Sequence, residues 1–179
     1  GAHAALASQG TGRLEADAIV SIAGNVWIRA LERSRVRWAV KRAIVASMLG
    51  VVARTGRFPA RALRQGSDDE PARYMNQLFG AALRDAWTSA DGEEDYLASL
   101  ARVRIPVVSV ASAGDRINCH PSCAEAFVRR CAGPVETLVI HASDDGSAPP
   151  DHMQIVTTPR ARSVLVTALT WVREQLAKR

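Results

Sequence analysis

Asp115 and His152 are the two side chains whose types and positions best suit acid–base chemistry. Asp115 lies in the segment AGDRI, directly after an apolar segment, and His152 lies in the loop after the next apolar segment, VETLVIHAS. A buried carboxylate can hold an imidazole in one tautomer, and that imidazole can take a proton from a nucleophile. An acid after one strand and a histidine after the next also match the later part of the chain order Ser, Asp, His. The pattern predicts Asp115 as the orienting acid and His152 as the general base.

Each of these assignments has an alternative. Asp115 is also typical of an ordinary turn or of a cap on the following helix, and His152 of a surface histidine in a proline-rich loop. The rival base, His141, lies inside the predicted strand VETLVIHAS, which favours a packed or hydrogen-bonded histidine there. His3 lies in the first turn of a predicted helix, either at the surface or on the floor of a site. The loop that contains His152 also contains three aspartates: Asp144, Asp145 and Asp151.

Three cysteines, Cys119, Cys123 and Cys131, lie within one short segment. An odd number so closely spaced disfavours a disulfide framework and favours a reducing, cytoplasmic location. No second Cys or His pair completes the four ligands of a zinc site, so no metal is expected. The segment GTGRLEAD precedes a predicted strand instead of following one, so it is not a phosphate-binding loop and no cofactor is expected.

The composition is that of a globular protein, with 47% hydrophobic and 23% charged residues among 179. This length suits one domain, or one domain that carries a subdomain. The longest apolar run, residues 43–53, has 11 residues, whereas a helix needs about 20 apolar residues to cross a bilayer. The sequence therefore predicts no transmembrane helix.

The net charge of +5 is unevenly distributed along the chain. Residues 29–64 contain ten Lys or Arg and one acid, Glu32, whereas residues 65–100 contain eight acids and two arginines. Such faces are usually solvated and partly pair with each other. The basic half also has the composition of a helix that lies on an anionic surface. The aromatic platforms that single-strand binders use are absent, so nucleic acid is not an expected partner.

Apolar runs and breaks predict the order of the secondary structure. Three segments are predicted to be strands of a parallel sheet: ADAIVSIAGN, with the continuous apolar run 18–23, then IPVVSVASAG at 105–114 and VETLVIHAS at 135–143. Residues 26–100 contain helical patterns without a convincing strand, the first of them over residues 27–53. Two further helices are predicted: one at 121–133, and one that begins at Pro159, with Thr158 as its N-cap, and has an apolar stripe from Val164 to Leu176. The chain is thus predicted to be an α/β protein with a parallel sheet and an all-helical insert. Three strands are too few for this number of helices, so the sheet is predicted to be incomplete.

These features resemble the C-terminal half of an alpha/beta-hydrolase. The segment PVVSVASAGDRI is similar to the family's seventh strand with the acid that follows it, and ADAIVSIAGN and VETLVIHAS correspond to the sixth and eighth strands. The opening residues GAHAALASQ fit the closing glycine of a Gly-x-Ser-x-Gly nucleophile elbow and the small-residue helix after it. The loop before His152 is longer than is usual in the family, as it is in one branch of predicted hydrolases.

The resemblance implies a core segment at 1–25, a helical cap at 26–100 and a second core segment at 101–179 that carries Asp115 and His152. It implies an esterase-like serine hydrolase that acts on a small ester-like substrate through an acyl-enzyme, with a Ser-Asp-His triad. The nucleophile and the oxyanion-hole N–H groups then lie upstream of Gly1, in an N-terminal half of the same fold.

Other functions remain open at this point. An aspartate or cysteine nucleophile on the same fold would make the protein a dehalogenase or a transferase. In a different class, a non-catalytic α/β binding module would use the basic helices to bind an anionic partner or a membrane surface. A fluorophosphonate separates the classes, because it labels a serine hydrolase and not a binding module.

Overall fold

The computed structural model describes four stretches of the chain: residues 1–63, 68–143, 146–159 and 161–179. They form two compact units, of which the first combines Gly1–Asn25 with Tyr96–Arg179 and the second is Val26–Asp95. In chain order the elements are α1 (Ala2–Gly10), β1 (Ile19–Ile22), α2 (Arg35–Thr55), β2 (Arg57–Phe58), β3 (Glu70–Pro71), α3 (Ala72–Arg84), α4 (Tyr96–Ser99), β4 (Val107–Ser112), α5 (Pro121–Val128), β5 (Val135–Ile140) and α6 (Ala161–Leu176). None of the described helices is long and apolar enough to cross a membrane.

A parallel sheet forms the centre of the first unit, as the sequence predicted, and its strand order is β1-β4-β5. Ile22 lies opposite Val110, and Ser112 lies opposite Ile140. Because the strands are parallel, their carboxyl ends lie along one edge of the sheet, where the following turns meet. This edge positions the candidate residues.

Apolar packing on both faces explains why β4 lies at the centre of the sheet. All six of its residues are buried, as a strand covered on both faces requires. Val108 and Val110 pack in one cluster with Ala168 and Val172 of α6. On the alternate face, Ala111 packs with Ala124 of α5. Burial of this kind removes apolar surface from water, which stabilises β4 in the sheet and so positions the turn that follows it.

The second unit is built on the pair α2 and α3. The hydroxyl of Ser34 accepts a hydrogen bond from the N–H of Arg37 at 3.2 Å, so α2 begins after Ser34 and not at residue 27. It ends at Gly56, whose φ of 73° is the left-handed conformation that glycine adopts without strain. A two-residue antiparallel pairing of β2 with β3 adds strand structure that was not predicted in this segment.

Residues 96–102 belong to the first unit. A Cβ on Gly10 would lie 2.6 Å from the carbonyl oxygen of Ser99, so the end of α1 packs directly against this backbone. The guanidinium of Arg102 donates to the carbonyl of Gly10 at 2.7 Å and caps the helix. The returning chain therefore docks on α1 before it enters β4.

Candidate active site

Asp115 lies three residues beyond the end of β4, in a turn at the carboxyl edge of the sheet. Its N–H donates to the carbonyl of Ser112 at 3.1 Å, and the residue is only 3% exposed. Burial alone raises the pKa of this carboxyl. Hydrogen bonds from His152 and from the N–H groups of Cys119 and Asn118, together with the charge of His152, outweigh burial and hold the pKa below its usual value. Asp115 is therefore ionised at neutral pH.

His152 lies in a tight turn between β5 and α6. The side chain of Asp151 accepts hydrogen bonds from the N–H groups of Met153 and Gln154, both at 3.0 Å, and so shapes this turn. Three residues beyond His152, Ile155 is fully buried in the cluster between the sheet and α6. The imidazole itself stays 33% exposed. The buried Ile155 thus anchors the loop to the core, while the imidazole ring of His152 remains accessible.

The structure brings Asp115 and His152 together, although they are 37 positions apart in the sequence. Nδ1 of His152 lies 2.5 Å from Oδ2 of Asp115. An ionised carboxylate only accepts hydrogen bonds, so the proton of this contact is on Nδ1. A neutral imidazole held in this tautomer has its free lone pair on Nε2, which is the atom that a general base uses.

The other histidines lie elsewhere. His141 directly follows β5 and is exposed, so the prediction that it lies inside a strand was wrong. The strand stops at Ile140, three residues before the predicted end, because its pairing with β4 ends there; the N–H of Ala113 donates to the carbonyl of Ile140 at 2.9 Å. His3 is partly buried in α1, and burial is the main cause that lowers its pKa to about 4. Asp144 and Asp145 lie outside the described residues.

The three cysteines are free thiols, and all are buried. Burial raises the pKa of Cys131 to about 11, which keeps the thiol protonated and unreactive at neutral pH. Across the described part of the chain, no group of three or more His, Cys, Asp and Glu side chains could hold a metal ion.

The first turn of α1 lies at the same edge of the sheet as Asp115. A Cβ on Gly24, two residues after β1, would lie 2.7 Å from the Cβ of Ala2. This close approach requires glycine and packs the start of α1 against the carboxyl end of β1. The N-terminus of α1 therefore points toward the edge that carries the acid and the histidine.

Two residues beside the pair were not singled out from the sequence. The hydroxyl of Ser112 donates to the carbonyl of Pro150 at 2.5 Å, across 38 positions of sequence. Gly114 lies against the same carbonyl group. A serine at the end of an apolar strand gives no pattern that points to so distant a partner. Gly114, directly before the acid, was the available signal, because a glycine lets another segment of backbone approach closely.

No protein-family model matches the sequence, and no curated protein matches it. Solved structures do match. The mouse protein described as alpha/beta hydrolase domain-containing protein 10 has a TM-score of 0.51 and 13% identity, over 97% of this chain and 57% of its own. The structure of DcsB with its substrate analogue has a TM-score of 0.50 and 11% identity, over 99% and 62%. A hydrolase from Pseudomonas aeruginosa matches more weakly, with a TM-score of 0.45 and 19% identity over 94% and 60%.

The chain spans about three-fifths of the length of these solved structures. At such low identity the likeness concerns the fold, since one fold hosts many chemistries. The chain itself has a parallel sheet with helices packed on both faces. It therefore has part of an alpha/beta-hydrolase fold.

Proposed function

We propose that this chain carries the orienting acid and the general base of a serine hydrolase that cleaves small carboxylic esters through an acyl-enzyme. The observation that carries the proposal is the 2.5 Å contact between Nδ1 of His152 and Oδ2 of Asp115 at the carboxyl edge of the sheet. Ligands of open parallel sheets bind at this edge.

In this mechanism, Nε2 of His152 takes the proton of the serine hydroxyl as its oxygen attacks the ester carbonyl carbon. The ionised Asp115 stabilises the imidazolium that forms and keeps the ring in place. The imidazolium then protonates the leaving alcohol. A water molecule next attacks the acyl-enzyme, with His152 again as the base, and releases the carboxylic acid.

The nucleophile of the proposal is a serine on the N-terminal side of Gly1, in an elbow that leads into α1. The position of the first turn of α1, packed at Gly24 beside the end of β1, supports this placement, because an elbow presents its serine at the start of the following helix. The N–H of the residue after that serine would form part of the oxyanion hole. We assign the role of substrate-selecting cap to Val26–Asp95, and a cytoplasmic location suits the free, buried cysteines.

The test is covalent labelling of the full-length protein with a fluorophosphonate, read by intact mass and peptide mapping. The proposal expects one adduct, on a serine N-terminal to Gly1, and expects its rate of formation to collapse in the His152→Ala variant. A full-length protein that forms no adduct, or that labels equally fast without His152, would contradict the proposal.

A second candidate function, binding to an anionic membrane surface, has its own observation. The one acid among residues 29–64, Glu32, is buried and paired with Arg37 and Lys41. The exposed side chains of this segment include Val36, which is 75% exposed, and four arginines: Arg33, Arg35, Arg42 and Arg54. Val36, Arg35, Arg42 and Arg54 lie on α2, and a helix that exposes both cationic and apolar side chains favours binding to anionic lipid.

Cosedimentation with vesicles tests the second candidate. Binding to phosphatidylserine vesicles that weakens with salt and with Val36→Asp would support it, with phosphatidylcholine vesicles as the control. Equal recovery with both lipids would exclude it. This result is independent of the labelling experiment.

A further inference from the structure

One buried hydroxyl, that of Ser112, bonds to both of the loops that carry Asp115 and His152. Ser112 is the last residue of β4 and has no exposed surface. Its Oγ donates to the carbonyl of Pro150 at 2.5 Å and accepts from the N–H of Gly114 at 3.1 Å. Pro150 is two positions before the histidine, and Gly114 is one position before the acid.

The direction of these bonds follows from the chemistry of the groups. A hydroxyl has one proton, and the N–H of Gly114 can only donate, so the proton of Ser112 points to Pro150. Pro149 and Pro150 have no N–H, and their carbonyls are the only backbone groups with which this stretch can form hydrogen bonds. The hydroxyl of Ser112 therefore bonds to the only backbone group through which Pro150 can form a hydrogen bond, its carbonyl.

Gly114 allows the two loops to meet. A Cβ at this position would lie 2.5 Å from the carbonyl oxygen of Pro150 and closer still to that of Pro149. Both are backbone atoms, which cannot rotate away as a flexible side chain can. Any side chain at residue 114 would push the loop that carries His152 away from the turn that carries Asp115.

The local bonds of the histidine turn do not replace this connection. The hydrogen bonds of Asp151 join it to Met153 and Gln154 within the same turn. They shape the turn but leave its position on the sheet open. Ile155 anchors the C-terminal side of the turn in the core, and Ser112 anchors its N-terminal side.

We propose that Ser112, with Gly114 beside it, is a positioning residue that sets the distance between Asp115 and His152 by tying both loops to the end of β4. Its effect on turnover rests on the function proposed above, whereas its effect on the Asp115–His152 contact does not. The two can therefore be tested separately.

The first readout is NMR of the Nδ1 proton of His152 in the full chain. An imidazole N–H that donates to a carboxylate over 2.5 Å gives a strongly deshielded proton, which His152→Ala identifies by its loss. We expect Ser112→Ala to shift this signal upfield or to broaden it beyond detection, and Ser112→Thr, which keeps the hydroxyl, to retain it.

Ser109→Ala is the matched control. Ser109 lies in the same strand and is equally buried, but its Oγ has no hydrogen-bond partner in the described structure. The substitution Ser109→Ala deletes the same hydroxyl group as Ser112→Ala but breaks no bond to either loop, so the deshielded proton should be unchanged. If Ser112→Ala fails to fold, Gly114→Ala provides a second test, since it separates the loops and leaves the hydroxyl in place.

The second readout is the rate of fluorophosphonate labelling in the full-length protein. We expect Ser112→Ala to slow labelling by about tenfold to a hundredfold, the scale of a misplacement of about 1 Å, and Ser112→Thr to restore most of it. Signals and rates in Ser112→Ala that match those of Ser109→Ala would overturn the proposal. If the parent protein does not label but its deshielded proton responds to Ser112→Ala, the positioning role survives and the hydrolase function fails.

Discussion

Glu32 and Asp115 are both buried carboxylates, yet they are surrounded in opposite ways. Glu32 bonds to the guanidinium of Arg37 at 2.8 Å and to Nζ of Lys41 at 3.0 Å, and Lys41 is itself only 1% exposed. Lys41 also lies 5.4 Å from the centre of the ring of Trp27. Within the described residues, Asp115 pairs with one ionisable side chain, the imidazole of His152, which is one-third exposed.

The difference teaches which buried carboxylates can do chemistry. Two cations hold the carboxylate of Glu32, at 2.8 and 3.0 Å, so its oxygens are already used in a structural ion-pair cluster. The partner of Asp115 is a partly exposed imidazole, the type of side chain that most often serves as a general base. Burial of an acid therefore does not by itself indicate a candidate site, whereas an accessible imidazole partner does.

Replacement of His152 by Ala gives the largest expected effect. Loss of the base should slow labelling and ester hydrolysis on the order of a millionfold, as in serine hydrolases that lose the triad histidine. The Tm should also fall, because the buried carboxylate of Asp115 loses its imidazole partner. His141→Ala, at an exposed position after β5, is the control and should retain full activity. A His152→Ala protein with more than a few per cent of parent activity would break the comparison.

The change Asp115→Asn should come next. The amide has no charge to stabilise an imidazolium and can hold the ring in the wrong tautomer, which costs on the order of 10⁴-fold in kcat. Because the folded pKa of Asp115 lies below its unfolded value, its ionisation stabilises the fold at neutral pH, and this contribution is lost as the pH falls below the unfolded pKa. The free energy of unfolding of the variant, measured in urea, should therefore lack the pH dependence that Asp115 causes in the acid range. Unchanged kcat would remove Asp115 from the mechanism.

The sequence was sufficient for the Asp115–His152 pair and insufficient for the Glu32 cluster. Asp115 and His152 follow neighbouring parallel strands, and topology alone brings such loops to one edge of the sheet. Glu32 meets residues five and nine positions later, which are not helical neighbours. A continuous helix from residue 27 would have put Glu32 on a solvated face. The helix instead begins after Ser34, and the side chain of Glu32 is buried. The hydrophobic pattern does not predict this.

The same limit applies to Ser112. Strand type, direction and the acid turn followed from an apolar run that ends in Gly-Asp. The hydrogen bond to Pro150 depends on where the long loop after β5 returns to the sheet, and a run of mixed polar residues with two prolines does not specify this path. Contacts between loops are set by tertiary packing, which propensity does not encode.

Glu32→Gln tests the other half of the comparison. A neutral amide leaves the buried Lys41 without its full counter-charge, and breaking a buried ion pair in this way costs about 3–5 kcal/mol. Urea unfolding should show this loss, whereas Glu93→Gln, at an exposed site, should stay within about 0.5 kcal/mol. The double variant Glu32→Leu, Lys41→Met should recover most of the stability, because it removes the two fully buried charges, whereas the third, Arg37, is partly exposed. A large, selective loss of labelling in a folded Glu32→Gln protein would contradict a purely structural role.

His3 provides the smallest effect and the case in which burial dominates. Its folded pKa of about 4 lies below the 6.5 of an exposed histidine, so the unfolded chain takes up the proton first as the pH falls. Stability should therefore decline between pH 6.5 and 4, by about 3 kcal/mol in total. Urea unfolding at pH 7, 5.5 and 4.5 measures this slope, in a window above the acid range in which Asp115 contributes. His3→Gln should flatten the slope and His141→Gln should not. An unchanged slope in His3→Gln would mean that burial of this ring does not cause the pH dependence of stability, and that burial alone, without a charged partner, does not shift the pKa of His3 as we expect.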